Sequence, residues 1–167
     1  MTPRPPATYE ATMSSFVANA SPATKQPNVS AGAFWPEIDV ALLRETIRVP
    51  GDIQAPRMRS TVVSAVMDVT RELEAWQAGK EAAGYTTLAD VPAPVIDGST
   101  RLVHLFLRAV GCATAVELHE RYRSYDATAQ GNQRAEELTP TIDEIRRDLR
   151  NALCDLQGLR RVTVELI

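Results

Sequence analysis

The sequence predicts an all-α fold: a small helical bundle with one long helix, preceded by an extended arm and followed by a short β-strand. Three observations carry this. Apolar residues recur every three or four positions over two long stretches, Met58, Val62, Ala65, Val69, Leu73, Trp76 and then Ile142, Ile145, Leu149, Ala152, Leu156, the period of one helix face. Between them Leu102, Val103, Leu105, Phe106, Leu107, Ala109, Val110, Ala113 and Val116 make a stretch that is apolar on most sides, as befits a helix enclosed by neighbours. Alternation with a period of two occurs only at residues 160–167, where it reads as a strand.

Residues 1–36 form the arm. The first thirty-odd are rich in Pro, Ala, Ser, Thr and Asn, and Pro3, Pro5, Pro6, Pro22 and Pro27 interrupt any period. Such a segment buries too little apolar area to offset its conformational entropy. It is therefore expected to be ordered only where neighbouring chains hold it. Phe34, Trp35 and Pro36 are the expected anchor of the arm, and Trp35→Ala is expected to loosen the arm while leaving the helices folded.

Residues 37–158 form the helical domain. Asp39 suits the N-cap of a short helix through Arg48, with Leu42, Leu43 and Ile47 on its apolar side. Pro56 fits the first turn of the long helix, where its missing N–H costs nothing. That helix is expected to end near Ala83, with Gly84 as a left-handed cap. Residues 85–94 read as a connecting loop closed by Val91, Pro92 and Pro94. Asp97-Gly98-Ser99 is the expected start of the third helix, and polarity returns at Glu117, Glu120, Arg121 and Arg123. Residues 124–138 are polar, and their conformation stays open. The last helix is expected to begin at Thr139-Pro140-Thr141, with Pro140 at its first position or Thr141 and Glu144 as a capping box, and to stop at Gly158.

Residues 159–167 are the expected docking strand: Arg160 and Arg161 lead into Val162, Val164 and Leu166 alternating with Thr163 and Glu165, ending at Ile167. A lone strand leaves backbone groups unpaired and needs a partner.

The chemistry classes are narrow. Net charge is −3, so no whole-molecule attraction to nucleic acid is expected. Cys112 and Cys154 read as buried free thiols of a reducing compartment. The N-terminus has no apolar signal region, and no stretch reads as a membrane span of ~20 apolar residues. His104 and His119 lie in helical surroundings without metal-ligand spacing, and Cys112 with His119 makes only two potential ligands. Neither a nucleophile elbow nor a phosphate loop occurs. Glu117 and Glu120 satisfy half of the paired acidic pattern of all-α magnesium-dependent pyrophosphohydrolases, but Asp143, Glu144 and Asp148 do not supply the other half. Arg146, Arg147 and Arg150 interleave with acids, which disfavours a phosphate-binding face. No enzymatic activity, cofactor or metal is expected.

One stretch is more specific. Glu120, Arg121, Tyr122, Arg123, Asp126, Ala127, Gly131, Thr141, Ile142, Asp143, Glu144, Arg147, Asp148, Gln157 and Gly158 follow the pattern of two helices and their turn in the head completion proteins of contractile-tailed temperate phages, the GpL-type family. The resemblance begins near Phe34 and is strongest from Ile96 onward. It implies a head-to-tail connector made in the host cytoplasm and placed at the virion neck. Such a subunit would form a homo-oligomeric ring, a dodecamer by analogy with related connectors, below the portal protein. The ring would recruit a tail terminator or another neck protein, and packaged DNA would pass through it without sequence-specific binding. On this reading residues 160–167 dock on the portal, with an adjacent subunit or the N-terminal arm as the competing partner, and Glu120, Arg121, Arg123 and Asp126 with Arg147 and Asp148 make charged contacts within or between ring subunits. The alternatives are a helical interaction or scaffold protein of non-viral origin and, third, the pyrophosphohydrolase.

Overall fold

The computed structural model describes residues 27–47, 53–125 and 129–161, and side chains at 27–47, 53–121 and 142–161. Its elements, in order, are α1 (Val40–Thr46), α2 (Ala55–Ala82), a 3-10 turn (Leu88–Asp90), β1 (Val95–Ile96), β2 (Ser99–Thr100), α3 (Arg101–Tyr125) and α4 (Ala129–Gln157). The fold is mainly helical, as the sequence predicts. Central α3 packs along α4 on one side and on α2 on another.

The N-terminal segment enters the core directly. Val29 and Ile38 exchange both backbone hydrogen bonds at 2.9 Å, which closes residues 29–38 into a loop. Phe34 and Trp35 at its tip are buried to 3% and 4% exposure. Trp35 stacks on Phe106 of α3 with centroids 4.6 Å apart, and more loosely on Trp76 of α2 at 6.4 Å. Phe34 meets Trp35 edge-on at 5.0 Å. The indole Nε1–H donates to Gln77 Oε1 at 2.9 Å, so the buried ring keeps its hydrogen bond. The anchor is thus part of the helical core, and that changes the expectation for Trp35→Ala. Removing the ring opens a cavity between α2 and α3.

Asp39 caps α1 by accepting from Ala41 N at 2.9 Å and Leu42 N at 3.1 Å. The helix is shorter than expected: its C-cap, Ile47, is already extended, and Arg48 lies outside the described residues. In α2, Met58, Val62, Ala65, Val69 and Leu73 are buried as their spacing predicts, joined by Thr61 and Val66. The Thr61 hydroxyl donates to Arg57 O, which satisfies its buried oxygen. Gly84, at φ 94°, ends α2. Its N–H donates to Glu81 O and that of Tyr85 to Lys80 O, the double bond of a Schellman cap.

One expectation is refined and two need correction. First, the 85–94 connection contains an ordered 3-10 turn. The Asp90 carboxylate accepts from Thr87 Oγ1 at 2.7 Å, Thr87 N at 3.0 Å and Thr86 Oγ1 at 3.0 Å. Leu88 is buried, and its N–H donates to Phe34 O at 2.8 Å. Second, Asp97-Gly98 does not start α3. It is the two-residue turn of a hairpin pairing Val95 with Thr100 and Ile96 with Ser99. Both turn residues have positive φ, 47° and 74°, the requirement of a tight hairpin turn that Asp-Gly meets. The His104 ring Nε2 sits 2.7 Å from Ile96 O and ties this hairpin to α3.

Third, α4 begins at Ala129, not at Thr139, and runs through Pro140. The preceding segment is rich in Ala, Gln, Arg and Glu, whose helix propensity outweighs the hydrogen bond lost at the proline. Further along, Ile142, Ala152 and Leu156 are buried on the predicted seam, and Gly158 at φ 73° ends the helix with the same double cap as α2, from Leu159 N to Cys154 O and Gly158 N to Asp155 O.

The stretch Arg101–Arg121 is also long and apolar enough, at mean hydropathy 1.3, to cross a membrane by length and composition, contrary to expectation. Its apolar character is that of the central core helix, with Phe106, Ala109 and Val110 fully enclosed.

Candidate assembly surfaces

Helices α1 and α3 frame an apolar groove of about 460 Å³. Gly111 of α3 lies on its floor and lets the α1 side chains approach closely. A Cβ there would stand 3.3 Å from Leu43 Cδ1 and 3.7 Å from Ile47 Cγ2. Leu42 stands 58% exposed on its edge, and Leu107, Arg108 and Cys112 form the α3 wall. Burial pushes the Cys112 thiol up, opposed by the nearby Arg108, so the thiol is held neutral. Sequence reasoning counted Leu42 as an apolar contact of α1 and missed the groove. A glycine inside an otherwise apolar helix was the available signal.

A line of ion pairs runs along α3 and α4. Arg108 donates to Asp148 at 3.1 Å, Arg146 bonds both Glu120 and Asp143, and Arg121 pairs with Glu117 one turn away. Of the six charges assigned to subunit contacts, Glu120, Arg121 and Asp148 therefore have partners within the chain. Arg147 is exposed and makes no ion pair with a described residue. The side chains of Arg123 and Asp126 lie outside the described residues. Arg108 and Arg146, which complete the line, were not singled out by spacing because the pairs join residues 40 and 26 positions apart.

A second cavity, about 240 Å³, lies between α2, α3 and α4 and is flanked by Asp68, Glu72, Glu117 and Glu120. Burial raises the Glu117 pKa, the Arg121 guanidinium opposes this, and the Asp68 and Glu120 carboxylates add to the rise. Asp68 pairs with Arg71 at 2.8 Å. Three of the four acids thus already hold an arginine, and no group of three or more His, Cys, Asp or Glu among the described residues could bind a metal ion.

At the end of α4 the Arg161 guanidinium forks onto Asp155, with Nε 3.0 Å from Oδ1. This holds the Asp155 carboxyl below its ordinary range. Arg160 is exposed. Val162, Thr163, Val164, Glu165, Leu166 and Ile167, the rest of the docking strand, lie outside the described residues, as does the arm over residues 1–26. Other apolar side chains left in water among the described residues are Val63 and Met67 on α2, Val95 and Ile96 of the hairpin, and Leu159 after α4.

No solved structure matches significantly. The head completion/stabilization protein of Escherichia phage P2 is 38% identical over 146 residues, covering 87% of this chain and 86% of that protein. The family model described as phage head completion protein (GPL) matches residues 29–167, from the Val29 bridge through α4 and beyond. The chain therefore belongs to the phage head completion protein family.

Proposed function

We propose that this protein is a structural connector subunit of a tailed phage, assembled as a ring below the portal, where it extends the DNA channel and offers a surface for tail attachment. The observation that carries the reading is family membership over residues 29–167, combined with 38% identity to a protein named for head completion and stabilization. That name supports a structural component of the virion with no catalytic task, and its phage origin weighs against a non-viral scaffold. The acidic cavity is better accounted for by its arginine partners than by pyrophosphohydrolysis.

The subunit acts through contacts alone. Ring closure is heterologous, one face of each copy meeting a different face of the next, and twelve copies would match a dodecameric portal. The exposed apolar side chains of α1, α2 and the hairpin suit such faces. Residues 160–167 dock on the portal, with Arg160 leading the approach. Glu120, Arg121, Arg123, Asp126, Arg147 and Asp148 bias the register between copies. Residues 1–26 continue over neighbouring chains, anchored where Phe34, Trp35 and Pro36 join the subunit's own core. DNA passes without base-specific contacts, and the completed ring takes up a tail terminator or another neck protein.

Light scattering on size-fractionated protein, with and without purified portal, tests the reading. The expected result is a portal-dependent ring of about twelve subunits, the copy number set by portal symmetry. Failure to bind portal under conditions in which the helices remain folded would overturn it.

A further inference from the structure

The α1–α3 groove leaves apolar side chains in water: Leu42 is mostly exposed, and Leu43, Ile47 and Leu107 are only partly covered. Its volume of about 460 Å³ is that of a small-molecule-sized cleft, ~300–1,000 Å³, room for a few apolar side chains. We infer that the groove is the seat of the chain's own C-terminal segment, residues 162–167, in the free subunit.

Three observations single out this occupant. The first is where the described chain ends. After the Gly158 turn the backbone doubles back, and Arg161 is forked onto Asp155, six residues behind it. Asp148 also acts on Arg161, and Arg108 acts on Asp155. Arg161 thus lies within electrostatic reach of the Arg108–Asp148 pair, and Arg108 is itself part of the groove wall.

The second is reach. Six extended residues span ~20 Å, whereas Gly111 lies one helical turn, ~5 Å, beyond Arg108.

The third is composition. Val162, Val164 and Leu166 would supply one apolar side, while Thr163, Glu165 and the terminal Ile167 would alternate to the other. The N-terminal arm also leaves near the groove, since Asn28 donates to Glu37 on its rim. Residues 1–26 are mostly polar or Pro, and their apolar run, Met13 with Phe16, Val17 and Ala18, lies ten or more residues before Asn28, whereas Val162 follows Arg161 directly.

The inference concerns the free subunit and does not depend on ring formation. It adds one consequence to the portal-docking reading. The same side chains cannot cover the groove and a foreign partner at once, so docking through them would uncover an apolar face for a neighbouring copy.

Cys112, in the groove wall, is the reporter. Its alkylation by iodoacetamide would be followed in the full chain and in a chain lacking residues 162–167, with circular dichroism showing both folded. Deletion is expected to speed the reaction by about tenfold or more, the effect of removing a cover that opens only locally. In a Cys154→Ser background, Leu166→Cys or Val164→Cys should form a disulfide with Cys112 within one chain. An unchanged alkylation rate would overturn the proposal. A disulfide-linked dimer would overturn it in favour of a second copy's segment. A rate rise on deleting residues 1–26 instead would assign the groove to the arm.

Discussion

Trp35 stacks on Phe106 at 4.6 Å with the rings 12° from parallel, although 71 residues of chain separate them. This contact joins the segment before α1 to the centre of α3 and makes residues 29–38 part of the core. Trp76 and Gln77 of α2 complete the ring's surroundings.

Trp35→Ala should therefore lower the stability of the whole helical domain by about 3–5 kcal/mol, the usual cost of deleting a buried aromatic ring. Urea unfolding followed by helix circular dichroism would show one earlier transition. An unchanged midpoint with only local loosening before α1 would refute this.

Gly111 sets the distance between α1 and α3. Gly111→Ala adds a Cβ 3.3 Å from Leu43 Cδ1, the flexible end of a side chain, and gains about 1 kcal/mol of helix propensity. Little net change is expected. Gly111→Val should instead push α1 away and cost about 1–3 kcal/mol through overpacking. Thermal melts of the two variants would separate close packing from propensity.

The charged line along α3 and α4 should contribute modestly to folding. The Arg108 and Asp148 side chains are 51% and 45% exposed, so a double-mutant cycle should give under about 1 kcal/mol, falling as salt rises. A clearly larger coupling in assembled rings than in the free subunit would mark a subunit contact. Charge reversal at Arg123, compared for portal assembly and salt sensitivity, tests the same idea for a residue outside the described side chains.

The Asp90 carboxyl is held below its ordinary value of 3.8 by the Thr87 hydroxyl, then by Thr86 and the Thr87 backbone. A lowered folded-state pKa means stability that is present above the unfolded value and lost as pH falls through the folded one. Asp90→Asn should thus melt earlier than the native chain at neutral pH, with the gap closing below pH 3.8. Glu117 has the opposite sign. Burial raises its pKa from 4.5, so the neutral form is favoured in the fold and stability is lost as pH rises through that higher value. Glu117→Gln should flatten this fall. Melting curves from acid to neutral pH would show both slopes, and a pH-independent gap for Asp90→Asn would refute the first.

The sequence by itself determined the helical class, the N-cap at Asp39, the buried faces of α2 and α4, the glycine stops at Gly84 and Gly158, and the family. The structural features rest on local geometry, a 3.6-residue period, a capping oxygen, a residue free to take positive φ, whereas the family rests on the resemblance carried by Glu120 to Gly158. Tertiary structure decided the rest. It drew Trp35 into the core because Trp76 and Phe106 offer flat apolar faces on two other helices. It turned Asp97-Gly98 into a hairpin because β1 had β2 to pair with and His104 to hold it. The groove at Gly111 and the pairs Arg108–Asp148 and Arg146–Glu120 arise where distant segments meet. No local period records which helix lies opposite, so these relationships became visible only when α1, α3 and α4 were packed together.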